Sequence, residues 1–290
     1  MPENSEPIRS IVARLSTDKP VRKTPYQVKG VIMHDFPAEP IVPLIDGSYR
    51  EQFLYPRVQV KILNEQIYLV GIKEGVEPVE SILDMLKTLN FGNITFEVQD
   101  FDAEIENDRF MPTSRMIRYK FLTPWIALNE TNLMKYKYMY GEERLKLLIR
   151  LLSQNIVFLA KEMGLQLQTK IFSKLKLESL YPKLVDDGQM GSFQGEFRCN
   201  FILPNFLGIG NGITKGYGVL FSHFNPADFT FDESELEKKS HNEQDVEDLP
   251  ENWEEEAIAP DDIPRSRRGA GESKKDEPNY NALEYHKRKH

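Results

Sequence analysis

Two of the five histidines lie outside the charged C-terminal stretch: His34, in KGVIMHDFP, and His223, in GVLFSHF. An ordinary imidazole titrates near ~6.5, so it can move a proton close to neutrality. His241, His286 and His290 fall in a stretch poor in aliphatic residues, where no fixed catalytic geometry is expected. His34 has two readings: a proton-transfer group, or a histidine at a helix C-terminus, where the helix dipole favours its charged form. Tyr26, Lys29, Tyr49 and Arg50 lie near it in sequence and could orient or stabilise a phosphate, or be ordinary surface residues.

A second group is a run of glycines. Gly208, Gly210, Gly212, Gly216 and Gly218 enclose Asn211 and Lys215. Glycine admits positive φ and lets backbone N–H groups approach an anion without a Cβ in the way. A dinucleotide fingerprint needs a third glycine at the right spacing and a following helix. Here position 213 is Ile, and a strand-like GYGVLF follows. A structural hairpin and a phosphate-facing loop remain.

A third group is basic. Lys170, Lys174 and Lys176 in TKIFSKLKL alternate, which places them on one face of a strand, with Arg198 later in the same half. Contacts of this kind to phosphates give affinity and salt dependence rather than sequence choice; the other reading is a solvated sheet face. Tyr136, Tyr138 and Tyr140, interleaved with Lys135 and Lys137, could stack bases or pack as a loop. There is no HExxH, GxSxG or P-loop lysine motif, and the acids show no metal-ligand spacing.

The elements that would position these groups repeat. Ile8–Ser16 alternates as a strand, and Thr24-Pro25 opens a helix that runs to about Asp35. Arg57–Leu63 and Gln66–Ile72 form a hairpin about Asn64-Glu65. Pro78–Leu89 has helical spacing, and Asn93–Phe101 is a further strand. That order is β-α-β-β-α-β. In the second half, strands are expected at Arg115–Leu122, Gln166–Leu177, Phe193–Leu203 and Tyr217–Phe224. A long amphipathic helix is expected at Glu142–Met163, and the glycine loop stands where the last helix should be. The fold expected is α+β: two tandem ferredoxin-like (βαββαβ, RRM-like) units over 1–108 and 109–224, the second with a C-terminal glycine-rich loop, then a disordered acidic tail over 225–290.

The net charge of −8 belongs to that tail, which holds 19 acids and 10 bases against 26 acids and 27 bases in residues 1–224. Its blocks of like charge and few aliphatics predict disorder. Functional readings for it are a partner-binding segment around Trp253 or an acidic mimic that competes with RNA. The basic clusters Arg265–Arg268 and Lys287–Lys289 could touch phosphates. One cysteine, Cys199, gives no internal disulfide or thiolate zinc pair. With no apolar run of ~18 residues and an acidic, Pro-containing start, a cytoplasmic protein with no membrane partner is expected.

The stretch FRCNFILPNFLGIGNGITKGYGVLF, a strand followed by Gly-apolar-Gly, Gly-aromatic-Gly and a final strand, resembles the signature of the RAMP superfamily. With the paired ferredoxin-like halves, residues 8–224 are similar to the CRISPR repeat-processing endoribonucleases, in the branch found with type I-B systems. The resemblance implies repeat RNA held in a cleft between the halves and metal-independent cleavage without a cofactor. In that reaction the 2′-OH attacks the adjacent phosphate, leaving a 2′,3′-cyclic phosphate and a 5′-OH. It also implies a catalytic histidine near the end of the first helix, which is His34; of the polar residues near it in sequence, Lys29 and Tyr49 are the candidates to share the catalytic role. RNA contact would fall to Gly208, Gly210, Gly212, Lys215, Gly216, Gly218, Lys170, Lys174, Lys176 and Arg198. Some members carry their histidine where this chain has Asp46, in LIDGSYREQFLYP. Two further readings stay open: a non-catalytic RAMP-like subunit of a CRISPR complex, and a protein-interaction scaffold acting through the tail. Other CRISPR complex subunits and a second copy of the chain are the protein partners expected.

Overall fold

Thr24 starts the first helix by a capping box: its hydroxyl accepts from Gln27 N–H while the Gln27 side chain accepts from Thr24 N–H, with Pro25 at the first helical position. The computed structural model describes residues 7–107, 109–185, 189–224 and 246–262. They form two compact units, one over residues 9–106 with 214–216, the other over the described residues of 107–213 and 217–262.

In the first unit the elements are β1 (Ser10–Thr17), α1 (Pro25–Asp35), the short α2 (Val42–Ile45), β2 (Val58–Leu63), β3 (Gln66–Ile72), α3 (Val76–Leu83), β4 (Thr88–Asn90) and β5 (Thr95–Glu106). The sheet order is β2-β3-β1-β5-β4, antiparallel throughout. Without the short β4 this is the ferredoxin-like arrangement, the first strand lying between the third and the last. Alternation supplies the core: Ile11, Ala13 and Leu15 of β1 are fully buried, with Val28 and Ile32 of α1 and Val79 and Ile82 of α3. The β2–β3 turn puts both Asn64 and Glu65 at positive φ, as a tight hairpin requires. The helix expected to reach Leu89 stops at Leu83. Leu86 and Leu89 are buried, but Leu89 is paired in β4 opposite Phe96. Apolar spacing of three is a helical signal, and the tertiary pairing of Leu89 overrode it.

The second unit contains β6 (Met111–Phe121), β7 (Trp125–Leu128), α4 (Glu130–Tyr136), α5 (Gly141–Glu162), β8 (Ser173–Leu177), β9 (Lys183–Val185), β10 (Met190–Phe193), β11 (Gly195–Ile202) and β12 (Leu220–Phe221). Its main sheet runs β12-β6-β11-β8, the ferredoxin-like order again, and β7-β10-β9 form a smaller sheet. On one face Tyr119 stacks on Phe197, which Phe121 meets at a tilt. On that face too, Ser173 of β8 meets Ser153 of α5, hydroxyl to hydroxyl at 2.5 Å. The expected strands at 166–177 and 217–224 are shorter than their sequence pattern, and β7, α4, β9 and β10 were not anticipated.

The tail expected to be disordered from residue 225 onward is ordered in part. β13 (Val246–Asp248) pairs with β6, a turn of helix α6 (Trp253–Glu256) follows, and Ile258 exchanges backbone hydrogen bonds with Ile171. We refer to residues 246–262 as the strap. His241, His286, His290, Arg265–Arg268 and Lys287–Lys289 lie outside the described residues. Among the described residues no helix is long and apolar enough to cross a membrane.

Candidate nucleic-acid interface

The main sheet of the second unit has one aromatic face and one charged face, because its strands alternate. In register across β8, β11 and β6 stand Lys174, Arg198 and Arg118, and beside them Lys176, Glu196 and Lys120. The sheet thus collects five cations on one face around a single carboxylate. Glu196 accepts from Arg118 at 2.5 Å and lies 3.5 Å from Lys176 Nζ. The Arg118 hydrogen bond, first among the causes, holds the Glu196 carboxyl below its ordinary range. A shallow pocket opens here, lined by Arg118, Lys174, Lys176, Glu196 and Arg198 among others. Of the expected basic strip, Lys174, Lys176 and Arg198 share this face. Lys170 precedes β8 and donates instead to Glu254 O at 3.0 Å. Arg118 and Lys120 join them outside the expected strip, and the alternation of RMIRYKFL is the sequence signal for both.

The strap crosses this face. Glu247 places one carboxylate oxygen 2.8 Å from Lys174 Nζ and the other 3.5 Å from Arg198 Nε. Asp248 lies 3.3 Å from Arg115 Nε.

The glycine loop between β11 and β12 has packing reasons for two of its glycines. A Cβ on Gly210 would lie 2.6 Å from the Trp125 ring, and one on Gly218 2.0 Å from Ile209 O; both residues have positive φ. Gly218 N–H donates to Pro124 O and Asn211 N–H to Ile126 O, both across to β7 or the residue before it. Gly218 therefore offers no N–H to a phosphate. Gly212 and Gly216 also adopt positive φ, and Lys215 ends a short 3-10 turn. Gly208 is bridged to Val219.

In the first unit His34 ends α1 with its side chain 81% exposed, and its Nδ1 lies 2.7 Å from Asp35 Oδ1. The carboxylate engages one ring nitrogen, and most of the ring faces solvent. Lys29 is buried, with Nζ 5.4 Å from the Tyr26 ring centroid, and burial pulls its ammonium down to about 8. Five helical residues separate it from His34, roughly 140° around the axis, so the two do not share a face. Lys29 is thus not an ordinary surface residue, and its ammonium lies inside the unit. Tyr49 is partly exposed and meets Phe53 ring to ring at 6.0 Å, while Arg50 is exposed. Asp46 closes a local turn, accepting from Ser48 N–H at 2.7 Å and from the Ser48 hydroxyl at 2.8 Å.

The tyrosine stripe divides. Tyr136 is buried at the end of α4 and donates to Leu180 O at 2.7 Å. Tyr138, Tyr140 and Tyr181 are each more than three-quarters exposed. The Arg144 guanidinium sits 5.9 Å from the Tyr140 ring centroid and 5.2 Å from that of Tyr181. His223 is exposed beyond β12, its ring 5.0 Å from that of Phe221. Burial pushes the Cys199 thiol up to about 12, which removes it as a nucleophile.

Two ferredoxin-like sheets in tandem, the second with a glycine loop in place of its last helix, define a RAMP-type protein. The Cas6b N-terminal domain model matches residues 6–108 and the Cas6b C-terminal domain model residues 111–223, and the chain belongs to this family of CRISPR repeat-processing proteins. A crystal structure of Cas6b shares the fold with a TM-score of 0.61 at 24% identity, covering 75% of this chain and 100% of that one. That of the CRISPR RNA processing endoribonuclease Cas6b gives 0.54 at 23% identity, over 74% and 99%. "Uncharacterized protein MJ0978" of Methanocaldococcus jannaschii is 34% identical over 134 residues, 46% of this chain and 90% of that protein. The strap lies beyond the residues that the family models match.

Proposed function

We propose that this chain is an endoribonuclease that cuts CRISPR repeat RNA without a metal. The 2′-oxygen of one nucleotide attacks the adjacent phosphorus, the bond to the 5′-oxygen breaks, and the products are a 2′,3′-cyclic phosphate and a 5′-OH. His34 is the proton-transfer group of this step, and Tyr49 assists from the same unit. Lys29 contributes positive charge from beneath, without touching RNA. The Lys174–Arg198–Arg118 face and the Lys215 region of the glycine loop hold the backbone. The observation that carries the reading is the His34–Asp35 pair at the end of α1: an exposed imidazole with one nitrogen engaged by a carboxylate is oriented for proton transfer.

The test is cleavage of repeat RNA in EDTA by the natural chain and by His34→Ala. A cyclic phosphate end from the former, with binding but no cutting by the latter, is the expected result. Undiminished cleavage by His34→Ala would remove His34 from the reaction. A second reading, an RNA-binding member without cleavage, is favoured by Asp46, a turn-capping carboxylate where some relatives carry their histidine. It predicts RNA binding with no cut under any of these conditions.

A further inference from the structure

The cations best placed to hold RNA are already engaged by the chain's own strap. Glu247 bridges Lys174 and Arg198, Asp248 pairs with Arg115, and the carbonyl of Glu254 takes Lys170. A carboxylate with an oxygen on each of two cations occupies the place a phosphate would take, and the same ammonium and guanidinium groups cannot serve both at once.

We propose that residues 246–262 and the RNA backbone compete for this one cationic surface, so that RNA binds the second unit by displacing the strap. The proposal rests on the reading of that face as an RNA contact and adds the occupant that RNA must remove. Three observations support it. The strap follows the surface and does not merely touch it: Val246–Asp248 align with Arg115–Ile117 of β6, Ile258 bridges Ile171, and Pro260 O accepts from Lys161 at 2.6 Å. Its hold is of a kind that can be exchanged. The ion pairs are partly solvated, with Asp248 88% exposed, so they are weak and screened by salt. The buried apolar side chains in it are Val246 and Ile258. Finally, the strap lies beyond residue 223, where the match to the family domains ends, so it is an addition to the shared fold and not part of its core.

Competition has two consequences that a merely structural cover would not have. Removing the strap's charges strengthens RNA binding, and RNA exposes the strap's backbone amides to solvent exchange. The experiment uses the full chain and a 30-nucleotide mixed-sequence single-stranded RNA in EDTA at low salt. Binding is read by fluorescence anisotropy for the natural chain, Glu247→Gln/Asp248→Asn and Lys174→Ala/Arg198→Ala. The strap variant is expected to bind about threefold to tenfold tighter, since three weak ion pairs no longer oppose RNA. The face variant binds more weakly than the natural chain. Hydrogen exchange at Val246, Glu247 and Ile258 speeds up when RNA is added. If the face variant is weakened but the strap variant is unchanged or weaker, and exchange does not respond, the competition is overturned while the RNA face stands. If the face variant binds as well as the natural chain, the RNA reading of the face has failed, and the competition with it.

Discussion

Lys61 of β2 is fully buried, and the charge of Lys29 on α1 adds to that burial in pulling the Lys61 ammonium down to about 7. Two buried lysines in one small unit are a standing cost of folding. Both have folded pKa values below the ordinary 10.5, so the unfolded chain binds more protons. The cost is full below about pH 7 and fades as pH rises toward 10.5. Lys61→Met should therefore stabilise the protein at pH 6.5 by on the order of 2–4 kcal/mol. The advantage should shrink as pH rises through 8 and 9, as thermal unfolding across that range would show. A variant less stable than the natural chain at pH 6.5 would mean that the site compensates the charge fully.

In the proposed reaction Asp35 orients His34 and does not touch RNA. Asp35→Asn keeps the shape and removes the charge that engages Nδ1. Cleavage of repeat RNA should slow by on the order of tenfold or more, with RNA affinity unchanged. An equal loss of affinity would reassign Asp35 to binding.

The divided tyrosines give a paired test. Tyr140→Ala and Tyr181→Ala remove exposed rings that flank Arg144, and each should weaken single-stranded RNA by about 1–3 kcal/mol with little change in stability. Tyr136→Phe should do the reverse, losing about 1 kcal/mol of stability with its bond to Leu180 O while leaving RNA affinity alone. Binding isotherms and unfolding curves on the same samples separate the two roles.

Gly218→Ala adds a Cβ against Ile209 O at a positive φ. A loss of about 2 kcal/mol or more in unfolding free energy is expected. A well-tolerated alanine would mean that the loop rearranges easily, and would weaken the packing account of its glycines.

How far the sequence spoke depended on whether a signal was local. Thr24-Pro25 and the alternation of β1, β2 and β3 are local, and those elements lie where they were expected. Leu86 and Leu89 continue the helical spacing of the residues before them, and the pairing of Leu89 with Phe96 overrode that local signal. Tyr136 looks like Tyr138 and Tyr140 in the sequence, yet it alone faces inward. The sequence of α4 has too few apolar residues to mark that helix. His34 and the basic residues of β8 and β11 could be read from position and alternation. The burial of Lys29 could not, since lysine is seldom placed inside. Val-Glu-Asp of β13 has no strand signature: its conformation comes from β6, to which it pairs.

That pairing has a consequence for how molecules behave together. Beyond the two residues of β12, the outer side of β6 between Arg115 and Ile117 would present unpaired N–H and C=O groups at alternate residues, the kind of open edge onto which a neighbour's strand adds. Val246–Asp248 close it from within the same chain. A molecule whose strap has left would offer that edge to other chains, so crowded, strap-free protein is the form in which self-association would begin.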